Sequence, residues 1–181
     1  MARTVALTGT PGTGKSSVGA LLARGRVVVE VGSLARRFGA ARRRGRTVEV
    51  DLDRLRRALV ASDALSEVDL VVGHLAHLLP IREVVVLRCH PGTLARRLAR
   101  ARRGSAIDRR ENYVAEATDV VLLEALGSGR RVWEIDTTGR SVRAVARAVE
   151  RRIRTRGRSS YGAVDWLADP RVTAHLLDRP R

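Results

Sequence analysis

The chain has 181 residues, 44% of them hydrophobic, with a mean hydropathy of −0.14, which suits one domain with a sizeable core. No apolar run approaches the roughly 20 residues of a membrane helix, and the single cysteine, Cys89, excludes internal disulfides and cysteine-based metal clusters. A net charge of +16 implies an anionic partner, nucleotide first and RNA second, although a genome that writes arginine wherever lysine would serve gives the same composition.

In chain order, residues 3–8 read as a buried strand, and a Gly-rich stretch follows, GTPGTGKSS at residues 9–17. An amphipathic helix is expected over 15–24, stopped by Gly25. Strand, Gly-rich turn and helix is the context of a phosphate-binding loop, and the turn carries the full G-x-x-x-x-G-K-[ST] pattern. Gly9, Gly12 and Gly14 let the backbone turn sharply. The exposed N–H groups then converge on an anion at the positive end of the helix dipole. Lys15 is the single lysine among 35 basic residues. A compact ammonium fits inside such a loop where a broad guanidinium does not. It is expected to reach the outer phosphates of ATP, with the Ser16 hydroxyl on Mg²⁺.

Further on, the pattern predicts a strand over 27–31, a short helix over 34–38 capped by Ser33, and a polar loop over 39–46. A helix over 51–61 places Leu52, Leu55 and Leu59 on one face. Strands are expected at 68–72 and 84–89, and a helix from Pro91 to residue 103, broken by Gly104. Residues 105–110 read as a short charged segment able to open and close, followed by a long helix over 111–126. A last strand at 132–135 ends in Asp136, and Ser141 caps a helix over 142–154. Residues 154–160 read as a basic linker, and the tail carries Val164, Trp166, Leu167 and a short helix after Asp169–Pro170.

The expected fold is therefore α/β, a P-loop NTPase with a three-layer parallel sheet and helices on both faces, a nucleotide-monophosphate-binding insertion and a small lid. Residues 1–156 are expected to form the phosphate-loop domain and 157–181 the tail. Ligands are expected at the carboxyl ends of the strands. His74 lies just past the third core strand, where it can orient water or contact phosphate. His77 is expected to be structural, and with no third ligand the two histidines do not make a zinc site. Arg96, Arg97, Arg100, Arg102 and Arg103 crowd one helix and read mostly as a solvated face. With the chain entering a strand at once and one cysteine, a cytoplasmic location is expected. Aromatics are only 3%, which argues against a base-stacking RNA reader.

Several segments in order, VVEVGSLARRFG, DLDRL, GHLAHLLP, VVVLRCHPGTLARRL, EN-x-x-AEA and VWEIDTT, resemble the archaeal branch of the nuclear adenylate kinase family. That family is also called the coilin-interacting nuclear ATPase or ribosome-assembly adenylate kinase family. The resemblance implies a nucleoside monophosphate kinase that also hydrolyses ATP. It further implies a role in small-ribosomal-subunit maturation through contact with a small-subunit ribosomal protein and the pre-ribosome or its rRNA. By the same resemblance, Gly12, Gly14, Lys15, Ser16 and Ser17 fall on the ATP-binding loop, and residues 30–53 on the monophosphate segment. Arg36 falls on an acceptor-phosphate arginine, with AMP the expected acceptor, and Ser33 stands where the family commonly has an acid. Residues 103–113 fall on the lid, with Arg103 as an ATP contact. One departure concerns chemistry. The family usually carries an acid two positions before His74, where it holds the Mg²⁺ shell, and this chain has Val72.

Overall fold

A computed structural model describes residues 4–44, 47–102, 104–127 and 129–178. Its centre is a five-stranded, wholly parallel sheet in the order β2-β5-β1-β6-β7. The strands are β1 (Val5–Thr8), β2 (Val28–Glu30), β5 (Leu70–Val72), β6 (Glu83–Arg88) and β7 (Arg131–Asp136). Strands β1, β5 and β6 are buried along their whole length, which explains their near-continuous Val and Leu runs. From β1 the chain first builds one side of the sheet and then the other, so the crevice at the carboxyl end of β1 is the topological switch point.

Helices cover both faces. On one, α1 (Lys15–Leu22) and α7 (Val142–Thr155) pack against Val5, Leu7, Val85 and Trp133. On the other, α2 (Val31–Arg37), α3 (Leu52–Ala61) and α6 (Val120–Leu126) enclose Ala6, Val71, Val84 and Val132, with a 3₁₀ turn at Ala76–Leu78. The three-layer parallel architecture is the one expected from the alternation of strands and helices. Along α7, Val145, Val149 and Ile153 are buried, whereas Val142 is exposed.

Several expectations need correction. The segment 39–46 is not simply a polar loop: β3 (Ala41–Arg44) pairs antiparallel with β4 (Thr47–Val50). The period-2 alternation of Thr47, Val48, Glu49 and Val50 carries the signal, but the run of arginines before it hides the partner strand. Ser33 does not cap α2, because the helix begins at Val31 with Glu30 at its N-cap and Ser33 inside its first turn. The charged segment 105–110 is largely the start of a helix, α5 (Ala106–Ala117), closed by a reciprocal capping box between Ser105 and Asp108. The long helix expected over 111–126 is two helices, parted where Asp119 takes a left-handed φ of 60°.

The basic segment after α7 is also more than a linker. Ser160 makes a parallel bridge to Trp133, and the Trp133 indole donates to the Arg158 carbonyl at 2.9 Å, so the chain runs along the free edge of β7. The tail ends in α8 (Pro170–Leu177), whose Val172 is fully buried against Tyr113 and Ala117 of α5. α4 (Pro91–Arg100) packs on α5 beside the carboxyl end of the sheet, its proline at the first turn as read from sequence. Among the described residues, no helix is long and apolar enough to cross a membrane.

Candidate active site

The loop after β1 is shaped by backbone that only glycine tolerates well. Gly9 has φ 137°, and a Cβ there would stand 2.3 Å from the Leu87 carbonyl oxygen. Gly12 and Gly14 both take φ 97°, which turns the chain into α1. The closing group is the Thr10 carbonyl. It accepts from the Thr13 hydroxyl at 2.9 Å, from the Thr13 N–H at 3.2 Å and from Lys15 Nζ at 2.9 Å. Lys15 is thus folded into its own loop, only 8% exposed, while Ser16 and Ser17 at the start of α1 remain exposed.

The loop forms the floor of a cleft of about 730 Å³ at the carboxyl end of the sheet. One wall comes from the start of α2 and from β4, and carries Glu30, Arg36 and Val48. The opposite wall comes from the end of α4 and the loop from β7 to α7, and carries Arg97, Thr137 and Arg140. The ends of β5 and its following turn, Val72 to Leu75, lie between the two. The arrangement is a phosphate cradle flanked on both sides by guanidinium groups.

Residues 5–119 match a family described as AAA domain. A Thermococcus onnurineus protein named "Putative adenylate kinase" is 38% identical over 177 residues, covering 96% of this chain and 97% of that protein. An Archaeoglobus fulgidus protein of the same name is 40% identical over 173 residues, covering 91% and 92%. The chain belongs to this archaeal family. Among solved structures, the shikimate kinase of Acinetobacter baumannii in complex with shikimate superposes with a TM-score of 0.59 at 19% identity, covering 85% of this chain and 94% of that one. The P-loop kinase fold is shared at that distance.

Within this family member, the residues singled out by sequence fall as follows. Gly12, Gly14, Lys15, Ser16, Ser17, Arg36 and His74 all line the cleft. Arg36 donates to the Ser33 hydroxyl at 3.1 Å, both side chains being exposed. Arg103 lies outside the described residues. The His74 ring is open to solvent; even so, the protein packed around it, followed by the charges of Lys15 and His77, lowers its pKa and favours neutral imidazole. His77 is buried and structural. It bonds the Thr8 hydroxyl at 2.8 Å through Nδ1 and the Glu124 carboxylate at 2.8 Å through Nε2. With a carboxylate at Nε2, the neutral ring carries its proton there, and the Thr8 hydroxyl also reaches the His74 carbonyl at 3.1 Å. Burial lowers the His77 pKa, against the pull of Glu124. Asp136 accepts from the N–H and hydroxyl of Thr138, a turn-capping role. Asn112 donates to the Asp108 carbonyl within α5. Cys89 is buried, which raises its thiol pKa.

Sequence reading missed three contributors. Arg97 does not belong to the solvated face that the arginines of α4 suggest. It lies one turn from buried Leu94, and donates instead to Cys89 Sγ at 3.4 Å and to the Thr137 carbonyl at 3.1 Å on the cleft wall. Its i+3 spacing from Leu94 was the available signal. Arg140 enters from the β7–α7 loop, anchored on the Asp136 carbonyl at 3.0 Å. The third is Glu116, 2% exposed, which lies in the EN-x-x-AEA segment. Its Oε2 accepts from Thr10 Oγ1, and its Oε1 from Arg88 Nε at 2.8 Å, the Cys89 N–H at 3.0 Å and Trp166 Nε1 at 3.2 Å. Arg88 in turn meets Glu134 at 2.7 Å and Asp119. Burial opposes the Arg88 charge, and Glu116 and Asp119 outweigh it, so its pKa is raised. Nothing local in the sequence announces this cluster, because its members are far apart along the chain.

Proposed function

We propose that this protein is an adenylate-kinase-like nucleoside monophosphate kinase, moving the terminal phosphoryl group of ATP to a monophosphate, with AMP the foremost acceptor. The observation that carries the reading is the cleft itself. The phosphate loop lies between an Arg36 wall and an Arg97–Arg140 wall, so two phosphorylated ligands can meet over one cradle. The names of the relatives support the same chemistry.

In this reading the loop N–H groups and Lys15 hold the β- and γ-phosphates, Lys15 leaving the Thr10 carbonyl for the stronger charge-assisted contact. Arg36 holds the acceptor phosphate and lines it up with the γ-phosphorus. Arg97 and Arg140, with Arg103 of the adjoining segment, neutralise charge on the donor side. Phosphoryl transfer depends mainly on such positioning and on stabilising charge that spreads over the equatorial oxygens. Neutral His74 at the strand end orients the acceptor or a water, which would also serve ATP hydrolysis. The exposed Ser16 hydroxyl is a hard oxygen donor at the start of α1, and it suits Mg²⁺, an ion that keeps several waters and takes few protein ligands. When bound, Mg²⁺ would screen the β- and γ-oxygens.

The test is a coupled assay of the intact protein with ATP, Mg²⁺ and AMP, CMP or UMP in turn. AMP-dependent formation of ADP is expected; its absence from well-folded protein overturns the reading. The net charge of +16 favours a second reading, a nucleotide-gated assembly factor that contacts a small-subunit ribosomal protein or rRNA and turns over slowly. Tight ATP binding and co-purification with small-subunit components, without diphosphate product, would single it out.

A further inference from the structure

Val72 occupies the strand-end position where P-loop NTPases ordinarily hold the metal shell with an acid, yet an acid stands directly beside it. In the parallel pairing of β2 with β5, Glu30 is the register partner of Val72. Register partners on neighbouring strands point to the same face of a sheet. That face is the one covered by α1: Val72 Cγ2 lies 3.0 Å, and Val28 Cγ1 3.7 Å, from where a Cβ on Gly19 would stand.

The heights also agree. Glu30 lies two residues beyond Val28, about 6.6 Å further toward the carboxyl end of the sheet. Ser16 lies three residues before Gly19, about 4.5 Å along α1 in the same direction. The Glu30 carboxylate therefore stands beside the first turn of α1, and it lines the same cleft as Ser16. It is not used to cap α2, and it has no hydrogen-bond or ion-pair partner among the described residues. The other nearby acid is committed elsewhere. Asp69 accepts from the Val27 N–H at 2.9 Å and pairs with Arg26, at the amino end of the sheet.

We propose that Glu30 supplies the carboxylate of the Mg²⁺ shell, one strand away from its usual place, beside Ser16. The proposal rests on the kinase reading above. Glu30 would hold the metal through its water shell, as Mg²⁺ dehydrates reluctantly. The displacement leaves Val72 free to pack on Gly19, where an aspartate would be almost fully buried: Val72 is 4% exposed.

The test is Glu30→Gln in the intact chain, a neutral replacement of equal shape at an exposed position. Calorimetry measures the affinity for a non-hydrolysable ATP analogue in EDTA and again in Mg²⁺. Electron spin resonance with Mn²⁺ in place of Mg²⁺ reads the metal environment directly. In the wild type, metal is expected to tighten analogue binding. In Glu30→Gln that tightening should shrink about tenfold and the Mn²⁺ spectrum should change, while affinity in EDTA stays equal or improves. Equal metal tightening in both proteins overturns the proposal and leaves the kinase reading standing, as does an equal loss with and without metal. A wild type indifferent to metal also overturns it. A wild type that binds the analogue under neither condition overturns the phosphate-loop reading as well.

Discussion

Thr10 Oγ1 donates to Glu116 Oε2 at 2.5 Å, joining the phosphate loop to α5 across 106 positions of sequence. The same carboxylate accepts from Trp166 in the tail, so one buried side chain ties loop, helix and tail together. The loop's closing carbonyl belongs to that same Thr10. Glu116 is thus a positioning residue for the cradle, acting through Thr10.

This coupling is measurable. Thr10→Val and Glu116→Gln, alone and combined, form a double-mutant cycle in urea denaturation, with an expected interaction energy of about 0.5–3 kcal/mol. Glu116→Ala should cost more, on the order of 3 kcal/mol, because it removes a partner of buried Arg88. Additive effects of the two conservative changes would remove Glu116 from the loop's support.

Lys15→Ala is expected to weaken ATP binding ten- to a hundredfold, roughly 1.5–3 kcal/mol for a lost hydrogen bond from a charged group. Turnover should vanish while circular dichroism stays unchanged. Calorimetric affinity equal to the wild type would refute the assignment of the cradle.

Arg36→Ala should act on one substrate only. KM for the monophosphate is expected to rise about tenfold, as for one charge-assisted contact removed from an exposed side chain, with KM for ATP near the wild-type value. An equal rise in both would place Arg36 on the donor side instead.

Stability should fall with acidification near neutrality. Burial lowers the His77 pKa below its ordinary 6.5, so the unfolded chain binds the proton that the folded chain resists. Folding stability then rises with pH between the lowered folded value and 6.5, is complete above 6.5, and is lost as pH falls beneath it. The limiting slope is about 1.4 kcal/mol per pH unit for one proton. His74 is shifted in the same direction and adds to it. Thermal melting of the wild type and of His77→Gln between pH 7 and 5 checks this. The variant should be less stable at pH 7 and show a flatter profile; parallel profiles would contradict the assignment.

Local order along the chain made much of this protein legible. The buried runs of β1, β5 and β6, the phosphate-loop spacing, and the cap at Ser141 each need only neighbours within a few residues. Where two local signals competed, sequence reading failed. The arginine run hides the β3–β4 hairpin, and the Gly104 break hides the Ser105–Asp108 capping box that follows it.

By itself the sequence determined an α/β chain with an anion cradle after its first strand, because glycine spacing and hydrophobic period are properties of adjacent residues. Only the tertiary structure decided that Glu116 braces the cradle, that Arg97 and Arg140 share a wall, and that Glu30 stands beside Val72. Those relationships depend on strand order and register, which bring together groups that no spacing along the chain connects.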